Sequence, residues 1–144
     1  MSALPNKKRV LLLCTGNSCR SQMAEGWLRE LAGDEFEVSS AGTNPTSVNP
    51  MAVRVMAELT IDIAGQRSKA VDELTENQFD FVITVCDRAR EACPVFPGDA
   101  KKLHWSFEDP AEATGTDEER LRVFRRVRDA IAERLRFFAS TESP

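Results

Sequence analysis

The chain has little with which to hold a metal or enter a membrane. Its one histidine, His104, and four cysteines without a CX2C pair leave no zinc-binding set of the usual spacing, so no metal is expected. No apolar run approaches the roughly 20 residues that span a bilayer. Residues 1–6 lack the apolar core of a secretory signal, which makes the cytoplasm the expected compartment. Positive charge is not in excess: 19 Lys and Arg against 23 Asp and Glu give a net charge of -4, which argues against nucleic acid as a partner. With no repeat, low-complexity tract or linker, residues 1–144 are expected to form one domain around a single core, with residues 140–144 as a mobile tail. In a reducing compartment the cysteines are then catalytic, redox-active or metal-binding rather than a disulfide framework.

What is present is concentrated in residues 10–21, VLLLCTGNSCRS. An apolar run leads into a short polar loop, opened by Cys14 and closed by Arg20 with five residues between, and then into a helical pattern. Backbone N–H groups of Thr15, Gly16, Asn17, Ser18, Cys19, Arg20 and Ser21 in such a loop can point inward around a tetrahedral oxyanion, aided by the helix dipole. The Arg20 guanidinium adds a planar fork matched to two anion oxygens. The same field favours thiolate, so Cys14 is expected to titrate below the usual value of about 8.5 and act as a nucleophile. Ser21 is a candidate hydrogen-bond donor to that sulfur.

Periodicity places this loop in a fold. Residues 9–13 read as a buried parallel strand, and Met23, Ala24, Trp27, Leu28 and Leu31 as one face of a helix ending near Gly33. A second strand is expected at 36–40, followed by a loop at 41–45 able to lie beside the anion cup. Asn49 and Pro50 start a helix, 61–69 is irregular, and 71–77 forms a short helix. Strands at 79–85 and 101–105 follow, and a Thr116/Glu119 capping box opens a long helix through Leu121, Phe124, Val127, Ile131, Leu135 and Phe138. The expected fold is α/β, a four-stranded parallel sheet with helices on both faces. Ligands of such sheets bind beyond the C-terminal strand ends, where Cys14, Cys86 and the loop after residue 105 all fall.

The segments CTGNSCRSQMAEGW at 14–27, SAGTNP at 40–45, VITVCDRAREACP at 82–94 and HWSFEDPAEATGT at 104–116 resemble the arsenate reductases built on the low-molecular-weight tyrosine phosphatase fold. The resemblance runs from about residue 8 to about residue 138. It implies reduction of arsenate by three cysteines, Cys14 as nucleophile with Cys86 and then Cys93 as resolving thiols. Thioredoxin is implied as external reductant, with no bound cofactor. It also assigns Asp109, before Pro110, as the acid that protonates the departing oxygen, with Glu108 as its neighbouring fallback. The relay is chemically reasonable because each handover is a thiol–disulfide exchange. A disulfide needs Cα atoms within about 7 Å. Seven residues of intact helix span roughly 10.5 Å, so pairing Cys86 with Cys93 would require residues 87–92 to unwind.

Cys19 is expected to turn away from the anion and to be dispensable, and His104 to be structural. Relatives of this kind hold a potassium ion near the loop through groups equivalent to Asn17 and Ser40 and an acid in a later segment. Here that segment is Gln66-Arg67-Ser68-Lys69, without an acid, and the expectation is no potassium dependence, the Lys69 ammonium organising Asn17 instead. Two other readings stay open. A low-molecular-weight tyrosine phosphatase would use Cys14, Arg20 and Asp109 but has no need of Cys86 and Cys93, and Ala111 and Glu112 stand where aromatic residues grip a phosphotyrosine ring. A redox sensor would bind oxyanion and signal through its disulfide. A monomer is expected.

Overall fold

A computed structural model of the protein describes residues 7–142. The elements alternate: β1 (Lys8–Cys14), α1 (Arg20–Ala32), β2 (Phe36–Gly42), α2 (Pro50–Ala57), a 3-10 turn (Val71–Leu74), β3 (Phe81–Thr84), α3 (Asp87–Glu91), β4 (Lys101–His104), a second 3-10 turn (Pro110–Glu112) and α4 (Asp117–Glu142). The strands form one sheet in the order β2-β1-β3-β4 with every pair parallel, as the alternation predicts. Val10 to Leu13 are wholly buried and all four residues of β3 are buried, which is why these inner strands read as unbroken apolar runs.

Local signals start the helices where they were expected. Asn49 Oδ1 accepts the Met51 N–H at 2.8 Å with Pro50 in the first turn. Ahead of α4, Thr116 Oγ1 accepts the Glu119 N–H at 3.1 Å while Glu119 Oε1 accepts the Thr116 N–H at 3.0 Å, a closed capping box. The α4 stripe then buries Leu121, Phe124, Val127, Ile131, Leu135 and Phe138. Each such side chain contributes about 1.5–3 kcal/mol by leaving water. The Phe138 ring meets those of Phe36, Phe81 and Trp105 at 5.0–5.6 Å between centroids, fastening α4 over β2, β3 and the end of β4.

The parallel register fixes where the chemistry lies. Cys14 is opposite Gly42, and Leu13 is opposite Thr84, so Cys86, two residues past Thr84, emerges at the same sheet edge as Cys14.

Three expectations are corrected. Residues 86–93 are not one helix: α3 has five residues, Cys86 precedes it in extended backbone, and Ala92 has already left helical geometry. Pro94 explains the early stop, since the residue before a proline disfavours the helical conformation. A helix of five residues, not of two full turns, therefore stands between Cys86 and Cys93. The helix expected at 71–77 is only the turn Val71–Leu74. Finally, residues 140–142 belong to α4 rather than to a tail. Residues 143 and 144, like residues 1–6, lie outside the described residues.

Candidate active site

At the C-terminal sheet edge a cavity of about 490 Å³ is bordered by Cys14, Thr15, Ser18, Arg20, Cys86 and Asp109, among others. β1 delivers Cys14 to its floor, and the chain turns through residues 15–19 before α1 begins at Arg20. The turn needs a left-handed residue, supplied by Asn17 at φ 47°, a conformation that asparagine tolerates better than most residues. Behind it stands Gly42, where a Cβ would collide with the Thr15 carbonyl. The SAGTNP loop thus backs the cup, with the Thr43 and Asn44 N–H groups donating to the Cys14 and Thr15 carbonyls at 3.1 and 2.8 Å.

Arg20 is 13% exposed at its side chain. It donates to the Phe107 carbonyl at 3.1 Å and lies 3.5 Å from the Asp109 carboxylate, tying the Asp-Pro loop over the cup. Asp109 Oδ1 also caps its own turn by accepting the Ala111 N–H at 3.0 Å. Glu108, the fallback acid, faces elsewhere: Arg126 of α4 holds it with a bidentate grip at 2.8 and 2.9 Å. No aromatic ring borders the cavity among the described residues; Ala111 and Glu112 do.

The Cys14 and Cys86 sulfurs are 3.6 Å apart, unbonded and hydrogen-bonded thiol to thiol, although 72 residues separate them. Thr15 Oγ1 lies 3.3 Å from the Cys86 sulfur. This contact changes the acidity expected of Cys14 alone. Cys86 is lowered to about 5 by the hydrogen bond from Cys14, by Thr15, by the Ala89 N–H and by Arg20. Cys14 is raised, because it donates to Cys86 and is buried, and Arg20 only partly opposes this. The pair gives up one proton readily and the second reluctantly.

Asn17 and Ser21 are fully buried and support the cup without bordering the cavity. Ser21 does not serve the Cys14 sulfur; its oxygen accepts Asn17 Nδ2 at 2.8 Å, which also donates to Ser40 Oγ at 2.9 Å. Cys19 is among the residues bordering the cavity, and burial pushes its thiol up to about 11, which keeps it protonated. Lys69 organises Asn17 through its backbone N–H, which donates to Asn17 Oδ1 at 2.9 Å, while its ammonium lies 4.0 Å from Glu25.

That glutamate is the residue the sequence reading missed. Glu25 on α1 is 3% exposed, accepts the Ser40 hydroxyl, and is paired with Arg29 and Lys69. An acid is therefore present near Asn17 and Ser40, but two cations already neutralise it and Asn17 Oδ1 is occupied, so this polar cluster does not fit a further cation. Gln22 completes the cluster, donating to the Asn17 and Arg67 carbonyls at 3.0 and 3.1 Å. A polar stripe at 22, 25 and 29, spaced by three and four, was the available signal.

Cys93 lies outside the cavity. It is half-buried, with its thiol donating to the Pro94 carbonyl at 3.5 Å and raised by burial. The structure thus joins Cys14, Cys86, Arg20 and Asp109 and leaves Cys93 apart.

A doubly wound parallel sheet with a CX5R anion cup at its C-terminal edge and an Asp-Pro loop above it defines an oxyanion-handling class of protein. Residues 9–142 match the family of low molecular weight phosphotyrosine protein phosphatases, and the chain belongs to it. Within that family it is 52% identical over 136 residues to an arsenate reductase of Halalkalibacterium halodurans, covering 94% of this chain and 98% of that one. A solved arsenate reductase in its oxidized state superposes with a TM-score of 0.80 at 32% identity, covering 93% of this chain and 98% of the other. A thioredoxin-dependent arsenate reductase of Corynebacterium glutamicum aligns at TM-score 0.71 and 26% identity, covering 96% of this chain and 63% of that one.

Proposed function

We propose that this chain reduces arsenate to arsenite by a three-cysteine relay recharged by thioredoxin, in the service of arsenic detoxification. The observation that carries the reading is the 3.6 Å approach of a second thiol, Cys86, to the nucleophile of an oxyanion cup. Hydrolysis of a phosphate ester has no use for that sulfur.

The cup and Arg20 bind arsenate. Cys14 passes its proton to Cys86 and attacks arsenic, while one arsenic oxygen leaves as water with a proton from Asp109. Cys86 loses its proton to solvent through the open cavity and attacks the Cys14 sulfur. The S–S bond forms, and the electron pair of the S–As bond stays on arsenic, taking it from the +5 to the +3 state as arsenite. Cys93, once deprotonated, attacks Cys86, frees Cys14 and leaves a Cys86–Cys93 disulfide. Thioredoxin's dithiol returns two electrons. No resident cofactor or metal enters the cycle.

Arsenate-dependent NADPH oxidation through thioredoxin and its reductase tests this. Cys14→Ser and Cys86→Ser should abolish turnover, and Cys93→Ser should permit one turnover per molecule. Normal turnover by Cys93→Ser overturns the relay, and steady hydrolysis of a phosphotyrosine ester with no arsenate-dependent oxidation overturns the reading in favour of a phosphatase. Weak hydrolysis beside full reductase activity is expected, because both reactions share the cup. Potassium, with sodium as the ionic-strength control, should leave kcat/KM unchanged; a clear rise would show that a cation displaces Lys69 beside Glu25.

A further inference from the structure

His104, the last residue of β4, spans the two sides of Cys86. Its Nδ1 lies 2.7 Å from Thr84 Oγ1, two residues before Cys86 at the end of β3, and its Nε2 lies 2.9 Å from Asp87 Oδ1, the residue after Cys86 and the first of α3. A carboxylate only accepts, so the Nε2 proton is directed at Asp87. The Thr84 hydroxyl serves the other nitrogen in either ring state: it donates to a neutral imidazole, and accepts from a charged one while turning its own proton to the Leu103 carbonyl 3.4 Å away. The imidazole is mostly buried, 20% exposed, whereas Asp87 is 69% exposed. The inner end of this contact is therefore fixed to the sheet and its outer end can leave.

α3 has little else to hold it. Of its five residues only Ala89 is buried. Beside it a cavity of about 220 Å³ is bordered by Thr84, His104, Arg90 and Cys93, so His104 borders the same space as the third thiol.

We propose that His104 is a positioning residue for the second thiol, a clamp that holds the strand end and the helix start on either side of Cys86 while Cys86 faces Cys14. It yields at Asp87 when that segment opens toward Cys93. The inference rests on the three-cysteine reading of the site. It makes a demand that a merely structural residue does not: loss of the clamp must slow the first sulfur handover and ease the second.

The test uses full-length protein carrying Asp87→Ala, Asp87→Asn or His104→Gln. In a Cys93→Ser background, a single turnover with arsenate reads formation of the Cys14–Cys86 disulfide by thiol counting. At saturating arsenate, needed because Asp87 also borders the oxyanion cavity, Asp87→Ala should slow it about tenfold, the scale for one lost hydrogen bond to a charged group. Asp87→Asn, whose amide oxygen still accepts from Nε2, should recover most of the rate. With Cys93 restored, peptide mapping over time should find the disulfide passing from Cys14–Cys86 to Cys86–Cys93 faster in Asp87→Ala and His104→Gln than in the parent. Thiolate absorbance gives a readout independent of arsenate, because the acidic Cys86 titration should move upward in Asp87→Ala as that sulfur drifts from Cys14. Wild-type behaviour in both handovers, equal slowing of both, or failure of Asp87→Asn to rescue overturns the clamp. If instead no variant nor the parent forms a Cys14–Cys86 disulfide, the reductase reading has failed, and the unchanged or shifted thiolate titration still decides the clamp.

Discussion

The two thiols that meet at the cavity floor arrive on unlike supports. Cys14 ends a strand buried on both faces, in a loop whose Asn17 makes hydrogen bonds to Ser21, Ser40, Lys69 and, through its carbonyl, Gln22. Cys86 precedes a five-residue helix of mostly exposed residues that ends before Cys93. The first support is over-determined, as a site that must present donors to an anion without reorganising requires. The second is tethered at few points, as a segment that must change partners requires. Under the proposed relay, the first support serves as a fixed receiver of substrate and the second as the carrier of the disulfide, and mutations on the two sides should fail in different ways.

The largest effect is expected at Arg20, the fixed side's cation that borders the cavity. Arg20→Lys removes the planar fork and leaves a point charge unable to bond the anion, the Phe107 carbonyl and the Asp109 carboxylate together. Arsenate-dependent kcat/KM should fall at least about a hundredfold, the scale of one lost donor to a transition-state oxyanion. Melting should change little, because the side chain serves the cavity and not the core. A near-normal rate with lysine would mean that the backbone N–H groups alone hold the anion.

Next in size is the scaffold beneath the cup. Glu25→Ala leaves Lys69 half-buried without its counter-charge and Ser40 without its acceptor. A loss of about 3 kcal/mol is expected, the lower end for a broken buried pair because Arg29 can turn to solvent. Urea unfolding measures it. The same substitution should weaken arsenate binding by freeing Asn17, whereas a comparable loss of stability placed in α4, such as Leu135→Ala, should leave binding intact. Equal binding in both variants would remove the distinction between scaffold and core.

The acidity of Cys86 tests the meeting point itself. Its largest lowering influence is the hydrogen bond from Cys14, so the thiolate absorbance expected near pH 5 should shift upward in Cys14→Ala, held partly down by Thr15 and Arg20. The sign for stability follows by linkage. A thiol lowered in the folded state adds stability that is complete above the usual thiol range and is lost as pH falls through about 5. Cys14, raised, adds stability present below the usual thiol range and lost as pH climbs above it. Unfolding of the wild type should therefore become harder between pH 5 and the usual thiol range and easier beyond it, and Cys86→Ser should flatten the lower limb. An unmoved midpoint in Cys14→Ala would place the acidity with Thr15 and Arg20 instead.

This contrast also decides what could be read from the sequence. The cup was legible because its parts are local: an apolar run, a CX5R spacing and a helix start lie within residues 10–21. The parallel sheet followed from alternation, and the Thr116 and Asn49 caps from their side chains. What escaped depends on distant packing. Glu25 reads as a surface charge until residues 66–69 and Ser40 close around it, and the protonation of Cys14 turns on a sulfur 72 residues away. The shortness of α3 was marked by Pro94, yet the even spacing of Cys86 and Cys93 suggested a continuous helix.

The smallest effect is expected where a third element touches the cup from outside. Arg126 of α4 grips Glu108 with three hydrogen bonds, but the pair is 61% and 53% exposed. Water competes with it and side-chain ordering opposes it, so Arg126→Ala should cost less than about 1 kcal/mol, and less still at high salt. The neighbouring Asp109 keeps three other restraints: Arg20 on its carboxylate, Arg20 on the Phe107 carbonyl, and the Pro110 turn it caps itself. Activity should therefore stay within a factor of about three, the equivalent of less than 1 kcal/mol in the barrier. A large fall in kcat at unchanged stability would mean that the acid loop belongs with the movable side of the molecule, held over the cup by α4 rather than by the anion site beneath it.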